Sequence, residues 1–250
     1  MTTISYIYGV HAVAAVLRER PQEISVLHYL SQSSDKALHP LLKQGKQQGV
    51  RCEPMTRHEL NDITNSGVHQ GIVAQCPLPS TRSESDFFNA IAACDVMPFI
   101  LVLDGIQDPH NLGACLRTAA AAGVQAVVVP QHNAVSLTPT VCKVAAGAAE
   151  TVPLVVVSNL ARTLKRLKKQ SLWLYGLAGE AKESLYHCHF TGGVVLVLGA
   201  EGTGLRRLTA ELCDYLLHIP MAGALSSVNV SVAAGISCFE VVRQRSSESS

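Results

Sequence analysis

Three polar segments, far apart along the chain, hold most of the side chains that could do chemistry. The first, DGIQDPHNLGACLRTA (residues 104–119), has Asp108-Pro109 to stop an apolar run and Asn111 to cap the helix that follows. Arg117 lies six residues beyond Asn111, less than two helical turns away. A capping Asn with a solvated Arg is the plain interpretation of that pair, and a site-lining pair is its competitor. The second segment, LGAEGTGLRRL (residues 198–208), has glycines at 199, 202 and 204 between an apolar run and a helical one. Glycines there let the backbone approach a ligand that the helix N–H groups also face. The order is G-x-x-G-x-G, unlike the G-x-G-x-x-G dinucleotide fingerprint, and it falls at the last crossover. Glu201 in its middle repels phosphate, so the ligand it suits carries positive charge or hydrogen-bond donors.

The third segment, IPMAGALSSVNVSVAAGI (residues 219–236), crowds Ser226, Ser227, Asn229 and Ser231 at the start of a helix of small residues. Helix capping explains such a cluster, and so does the lining of a site. Other groups are weaker. His187-Cys188-His189 has metal-ligand residue types, but consecutive positions suit a tetrahedral site badly, so no metal is expected. His69-Gln70-Gly71 reads as a turn entering a strand, with substrate contact as the alternative. Neither G-x-S-x-G nor the phosphate-binding G-x-x-x-x-G-K-[ST] occurs, which removes the commonest hydrolase and NTPase functions.

The elements that must position these segments are legible from residue 98 onward. FILVLD (99–104), AVVVP (126–130), PLVVV (153–157), LWLYGL (172–177) and VVLVLG (194–199) are continuous apolar runs of strand length. They lack alternation, as strands covered on both faces do. Helical segments at 111–122, 138–149, 159–169 and 205–214 separate most of them, and a last helix is expected from about 229 to 243. This alternation implies a parallel sheet with helices on both faces, whose ligands bind beyond the C-terminal strand ends. The first 76 residues read as a small αβ unit with helices at 9–20 and 35–48 and strands at 25–30, 50–53 and 71–76; residues 61–69 are turn-rich. CPLPSTRSESD (76–86) reads as a linker, rich in Pro and Ser.

Composition sets the outer bounds. With 250 residues, 48% of them AVILMFWYC and 16% charged, the chain is an ordinary globular protein of one or two domains. Formal net charge is +1, so a nucleic-acid partner must be met by local basic patches. Residues 80–150 carry 3 Lys/Arg against 6 Asp/Glu, while residues 151–250 carry 10 against 7. The clearest basic run, RTLKRLKK (162–169), reads as a solvated helix face, with an RNA-facing ridge as the sharper alternative. The eight cysteines form no CxxC, against both a disulfide framework and a four-thiolate zinc site. With no signal-like start and no membrane-length apolar run, a soluble protein of the reducing cytoplasm is expected.

NLGACLR (111–117), LVLGAEGTGL (196–205) and IPMAGALSSVNVSVAAG (219–235) resemble the three ordered motifs of the SpoU, or TrmH-like, branch of the SPOUT RNA 2′-O-ribose methyltransferases. YGVHAV (8–13) and VHQGIVA (68–74) resemble the substrate-binding N-terminal domain of that branch, so the likeness covers nearly the whole chain. It implies an α/β fold: a parallel-sheet methyltransferase domain with a C-terminal trefoil knot, plus a small αβ N-terminal domain like ribosomal protein L30e. Without the resemblance a knot would not be expected. The implied domains are residues 1–76 for RNA binding, 77–97 as linker, 98–246 for catalysis and 247–250 as a frayed tail.

The resemblance also implies an activity: S-adenosylmethionine-dependent methylation of a guanosine 2′-hydroxyl in the peptidyl-transferase P loop of 23S rRNA, by a homodimer with composite active sites. A tRNA ribose methyltransferase of the same branch and a non-catalytic rRNA-binding or assembly protein are the alternatives. Main-chain groups at Gly199, Ile219, Met221 and Val228 should hold the cofactor. The family's Ser-Leu-Asn is here Ser227-Val228-Asn229, a change that a main-chain contact tolerates. Arg117, Asn111, Glu201, Ser227 and Asn229 match the catalytic set. The family proposal makes Arg117 the base. Deprotonating a guanidinium at neutral pH costs about 8 kcal/mol, so a charged Arg117 that stabilises the developing alkoxide is the cheaper role.

Overall fold

A computed structural model describes residues 4–31 and 35–248. In chain order the elements are β1 (Ser5–Tyr8), α1 (Val10–Glu19), β2 (Val26–Leu30), α2 (Leu38–Gln47), β3 (Cys52–Met55), α3 (Arg57–Ile63), β4 (Ile72–Cys76), α4 (Glu84–Ala92), β5 (Phe99–Asp104), α5 (Pro109–Ala121) and β6 (Ala126–Pro130). There follow α6 (Pro139–Val144), α7 (Ala148–Thr151), β7 (Leu154–Val157), α8 (Leu160–Lys169), β8 (Leu172–Leu177), β9 (Glu183–Ser184), β10 (Gly193–Gly199), α9 (Arg207–Leu212), β11 (Tyr215–His218) and α10 (Val230–Glu248). They form two compact units, one of Met1–Ser80 with Ser136–Thr151 and one of Thr81–Val135 with Val152–Ser250.

The first unit holds a four-stranded sheet, β1-β4-β2-β3, antiparallel except for the β2/β3 pair. Strand β1 and helix α3 are absent from the sequence expectation, although α3 carries a readable start: Thr56 and Glu59 form a capping box. Residues 138–149, expected as one helix of the catalytic domain, instead form α6 and the start of α7, and the stretch 136–151 packs in this unit. The break between them falls where Ala146 and Gly147 take positive φ, 51° and 97°. Arg20 then binds Glu150 through two nitrogens, at 2.7 and 3.1 Å, and Glu23 at 2.8 Å. Two sequence motifs meet here as well. The Gln70 side chain accepts from the Val10 N–H at 3.2 Å and from Lys143 Nζ.

The second unit holds a seven-stranded, wholly parallel sheet in the order β7-β6-β5-β10-β8-β11-β9. All six residues of β5 are buried, which explains the unbroken apolar run. On one face Ile100, Val102, Val195 and Val197 pack with Leu160, Leu164 and Leu167 of α8 and with Phe87 and Phe88 of α4. Helix α10 packs against α5 and β10.

Two expectations change in this unit, the linker and the end of the last helix. The stretch from residue 77 to 97 is not all linker. Ser83 caps α4 by accepting from the Asp86 N–H at 3.1 Å, so part of the Ser-rich composition is helix-capping chemistry, and Phe87 and Phe88 are core residues. Arg82 belongs to this unit too, its N–H donating to the Leu154 carbonyl at 2.9 Å. The basic run of α8 is an exposed helix face, as expected, and three of its cations also serve the fold: Arg162 pairs with Glu84, Lys168 with Asp214, and Arg166 lies 3.7 Å over the Phe88 ring. Helix α10 carries on through Glu248, past the expected end at 243, and residues 249–250 lie outside the described residues.

Candidate active site

Strands β5 and β10 are neighbours in register, with Asp104 opposite Gly199, so the first and second polar segments leave the sheet side by side. Asp108, not Asn111, caps α5: its carboxylate accepts from the His110 N–H at 2.9 Å and Pro109 occupies the first turn. Asn111 is therefore inside the helix, buried and free to bond elsewhere. Beyond β10 the chain makes a tight loop, closed by the Gly204 N–H donating to the Ala200 carbonyl at 2.9 Å, with positive φ at Gly202 and Gly204. A Cβ built on Gly199 would fall within the backbone of Gly204 and Leu205, so this position requires glycine. The third segment leaves β11 as an exposed loop and enters α10 at Asn229 and Val230.

The three segments converge on Asn229. Its Nδ2 donates to Asn111 Oδ1 at 3.0 Å and to Glu201 Oε1. Its Oδ1 accepts from the Ser231 N–H at 2.8 Å and the Ser231 hydroxyl at 2.6 Å, which fixes the amide orientation. Beside this cluster lies a cavity of about 720 Å³. Gly199, Ile219, Met221 and Val228 all line it, as do Glu201, Ser227 and Asn229. Sequence reasoning missed the wall given by Leu177, Ala178, Gly179 and Glu180, which follow β8. The available signal was positional, because β8 is an apolar run whose C-terminal end is flanked by Gly and Ala.

Arg117 stands apart. It is exposed on α5 and makes no hydrogen bond or ion pair among the described residues. Six residues of helix turn it about 240° from Asn111, so it faces away from the Asn229 cluster. No thiol is poised as a nucleophile beside the site. Burial pushes Cys115 on α5 and Cys238 on α10 up to about 12, and so keeps them protonated. Among the described residues no group of three His, Cys, Asp or Glu could hold a metal ion; His187 ends a short helical turn (Leu185–His187), and Cys188, in extended backbone, and His189 follow it.

What the arrangement offers is a wide, half-apolar pocket with carboxylates and a rigid amide at its mouth, beyond the C-terminal ends of parallel strands. The family model described as SpoU rRNA Methylase matches residues 98–239 and takes in all three segments. The chain belongs to the SpoU rRNA methylase family. A second model, for RNA 2′-O ribose methyltransferase substrate binding, matches residues 6–81. The chain is 51% identical over 240 residues to the 23S rRNA (guanosine-2′-O-)-methyltransferase RlmB of Vibrio vulnificus, covering 96% of this chain and 97% of that one. It is 50% identical to RlmB of Escherichia coli strain K12, at 96% and 98% coverage. Among solved structures, the SpoU methyltransferase AviRb from Streptomyces viridochromogenes, in complex with AdoMet, shares the fold. It aligns with a TM-score of 0.78 and 24% identity over 97% of this chain and 90% of that chain.

Proposed function

We propose that this SpoU-family chain transfers the methyl group of S-adenosylmethionine to the 2′-oxygen of a guanosine in the peptidyl-transferase P loop of 23S rRNA. The observation that carries this is the convergence of Asn111, Glu201 and Asn229, from three segments, beside the cavity that Glu201 and Asn229 line. The relatives at about half identity, matched almost end to end, support 23S rRNA as the substrate over the tRNA alternative.

The residues present fit the cofactor. The cavity has the size of a typical cofactor site. Leu177, Leu198, Leu217 and Ile219 give it an apolar wall suited to adenine, and Glu180 and Glu201 suit a ligand bearing positive charge. Main-chain groups at Gly199, Ile219, Met221 and Val228 would hold it. When bound, it supplies an electrophilic methyl on a sulfonium. The chain's own task is to place the ribose oxygen in line, and positioning supplies much of the acceleration. Glu201 holds Asn229, which in turn holds Asn111, and Ser227 lies beside them on the same lining.

Arg117 completes the site from a second copy of the chain in a homodimer, where its guanidinium stays charged and stabilises the developing alkoxide. Exposed apolar side chains on the third segment and α10, at Met221, Leu225, Val232 and Phe239, support such an interface. As the 2′-oxygen takes the methyl, the sulfur keeps the bonding pair and leaves as a neutral thioether, and the hydroxyl proton is lost to solvent water; no metal is assigned. The same reading puts the protein in the cytoplasm with the ribosomal RNA; no helix among the described residues is long and apolar enough to cross a membrane.

The test is to methylate a protein-free 23S rRNA transcript with labelled donor and map the product. Label should reside on one guanosine, at a linkage made resistant to alkali by the blocked 2′-oxygen. Label on a base would overturn the reading. In the same assay Arg117→Ala should lose methyl transfer yet still bind S-adenosylmethionine in calorimetry. Near-normal turnover would remove Arg117 from the mechanism.

A further inference from the structure

Most cations on the second unit's sheet and helices have internal partners: Arg162, Lys168 and Arg243 are paired with carboxylates, and Arg166 lies on Phe88. Arg206 is paired too, and what differs is its place. It ends the glycine loop that lines the cavity, and its Nη2 lies 2.8 Å from Asp104 Oδ1, at the C-terminal end of β5. That carboxylate has no exposed surface, while the Arg206 side chain is 51% exposed. Asp104 Oδ2 accepts from the Thr209 hydroxyl at 2.6 Å. Oδ1 has no partner but Arg206, and the Arg206 side chain has no second partner among the described residues, so most of its N–H donors are unspent. A Cβ added at Gly105 would sit 3.7 Å from Arg206 Nη2 and 3.8 Å from the Ala200 Cβ. The guanidinium therefore lies where the turn leading to Asn111 meets the loop carrying Glu201.

A buried carboxylate is costly unless it is paired. Here it fixes one corner of a guanidinium at the edge of the reaction site and leaves the rest of the fork open. We propose that Arg206 binds a backbone phosphate of the RNA substrate, with Asp104 as its positioning residue. The inference rests on the RNA-methylation reading above and deepens it. A ribose presenting its 2′-oxygen beside Asn229 is flanked by a phosphate on each side, and a planar guanidinium matches phosphate oxygens in pairs. Such a contact sets register without reading a base.

The probe is a protein-free 23S rRNA transcript, with its affinity measured across a range of salt and cofactor affinity measured separately. Arg206→Gln should weaken RNA binding roughly ten-fold and lower the slope of log affinity against log salt by about one, with S-adenosylmethionine affinity unchanged. Arg206→Lys should keep the slope and lose part of the affinity, because charge is retained and the fork is not. The double variant Asp104→Asn, Arg206→Gln removes the stranded buried charge, so it separates RNA binding from misfolding, and it should show the same slope change. An unchanged slope in the folded double variant would overturn the proposal. So would a parallel loss of cofactor affinity, which would make Arg206 a support of the loop alone. If wild type and Arg206→Gln differ in slope as expected while the wild-type chain leaves the transcript unmethylated, the functional reading fails and the phosphate contact stands.

Discussion

Asn229 couples the three segments through one amide, whose nitrogen is shared by Asn111 and Glu201 while its oxygen is taken by Ser231. Asn229→Asp puts an acceptor where the donor stands, beside the Glu201 carboxylate. We expect a fall in turnover of about 10²–10³-fold, the scale found when one preorganised polar group is lost from a reaction centre. Steady-state assay beside a cofactor-binding measurement checks this; unchanged turnover would detach Asn229 from the chemistry. At this scale the sequence was informative about residue types and less so about partners. Asn111 reads as a cap because it is a good capping residue three positions after another one. Pro109 at the first helical position decides for Asp108 and frees Asn111 for Asn229. Glu201 was legible as a carboxylate misplaced in a phosphate loop, but its bond to Asn229, 28 residues on, is a tertiary fact.

At the scale of elements, α4 and α8 clamp one face of the parallel sheet, with Phe88 buried between them and Arg166 on its ring. Phe88→Ala should destabilise the fold by about 3–5 kcal/mol, measured by denaturant unfolding. A loss below about 1 kcal/mol would show that residues 84–92 are the loose connector their composition suggested. Within α10, Glu240 accepts from Arg243 at 2.8 and 2.7 Å and from Gln244 at 2.7 Å, its i,i+3 and i,i+4 neighbours on the same helix face. The Arg243 guanidinium holds the Glu240 carboxyl below the usual carboxylate range. A lowered folded pKa adds stability above the unfolded value of about 4.3, and that stability is lost as pH falls through the folded value. Glu240→Gln should thus cost stability at neutral pH, with the gap to wild type closing below about pH 4. A gap that persists undiminished in acid would contradict the assignment. Strands β5 to β8 and β10 were legible because burial on both faces leaves an unbroken apolar run. The short elements were not. The start of α4 is written in the same Ser and Asp that write a linker, and the break between α6 and α7 lies in the positive φ of Ala146 and Gly147.

For the whole molecule, a net charge of +1 and the internal commitments of the α8 cations leave RNA binding to scattered groups such as Arg206, which no charge count reveals. On the proposed mechanism, the fold of one chain does not complete the reaction site. The pocket and the Asn229 cluster lie together, while Arg117 is on the outer side of α5. The three motifs were readable as a set because each follows a strand end. That Arg117 faces away from its own Asn111 follows only from the turn of the helix, since six residues bring a side chain to a different face.

The most direct measurement mixes two dead variants. Arg117→Ala and Asn229→Asp chains, each inactive alone, are unfolded, combined in equal amounts and refolded together, and methyl transfer to 23S rRNA is assayed. If each reaction site joins Asn229 of one copy to Arg117 of another, mixed dimers hold one intact site, and about a quarter of wild-type activity returns. If both residues act within one chain, mixing restores nothing, and a mixture as inactive as its parents would contradict the composite site.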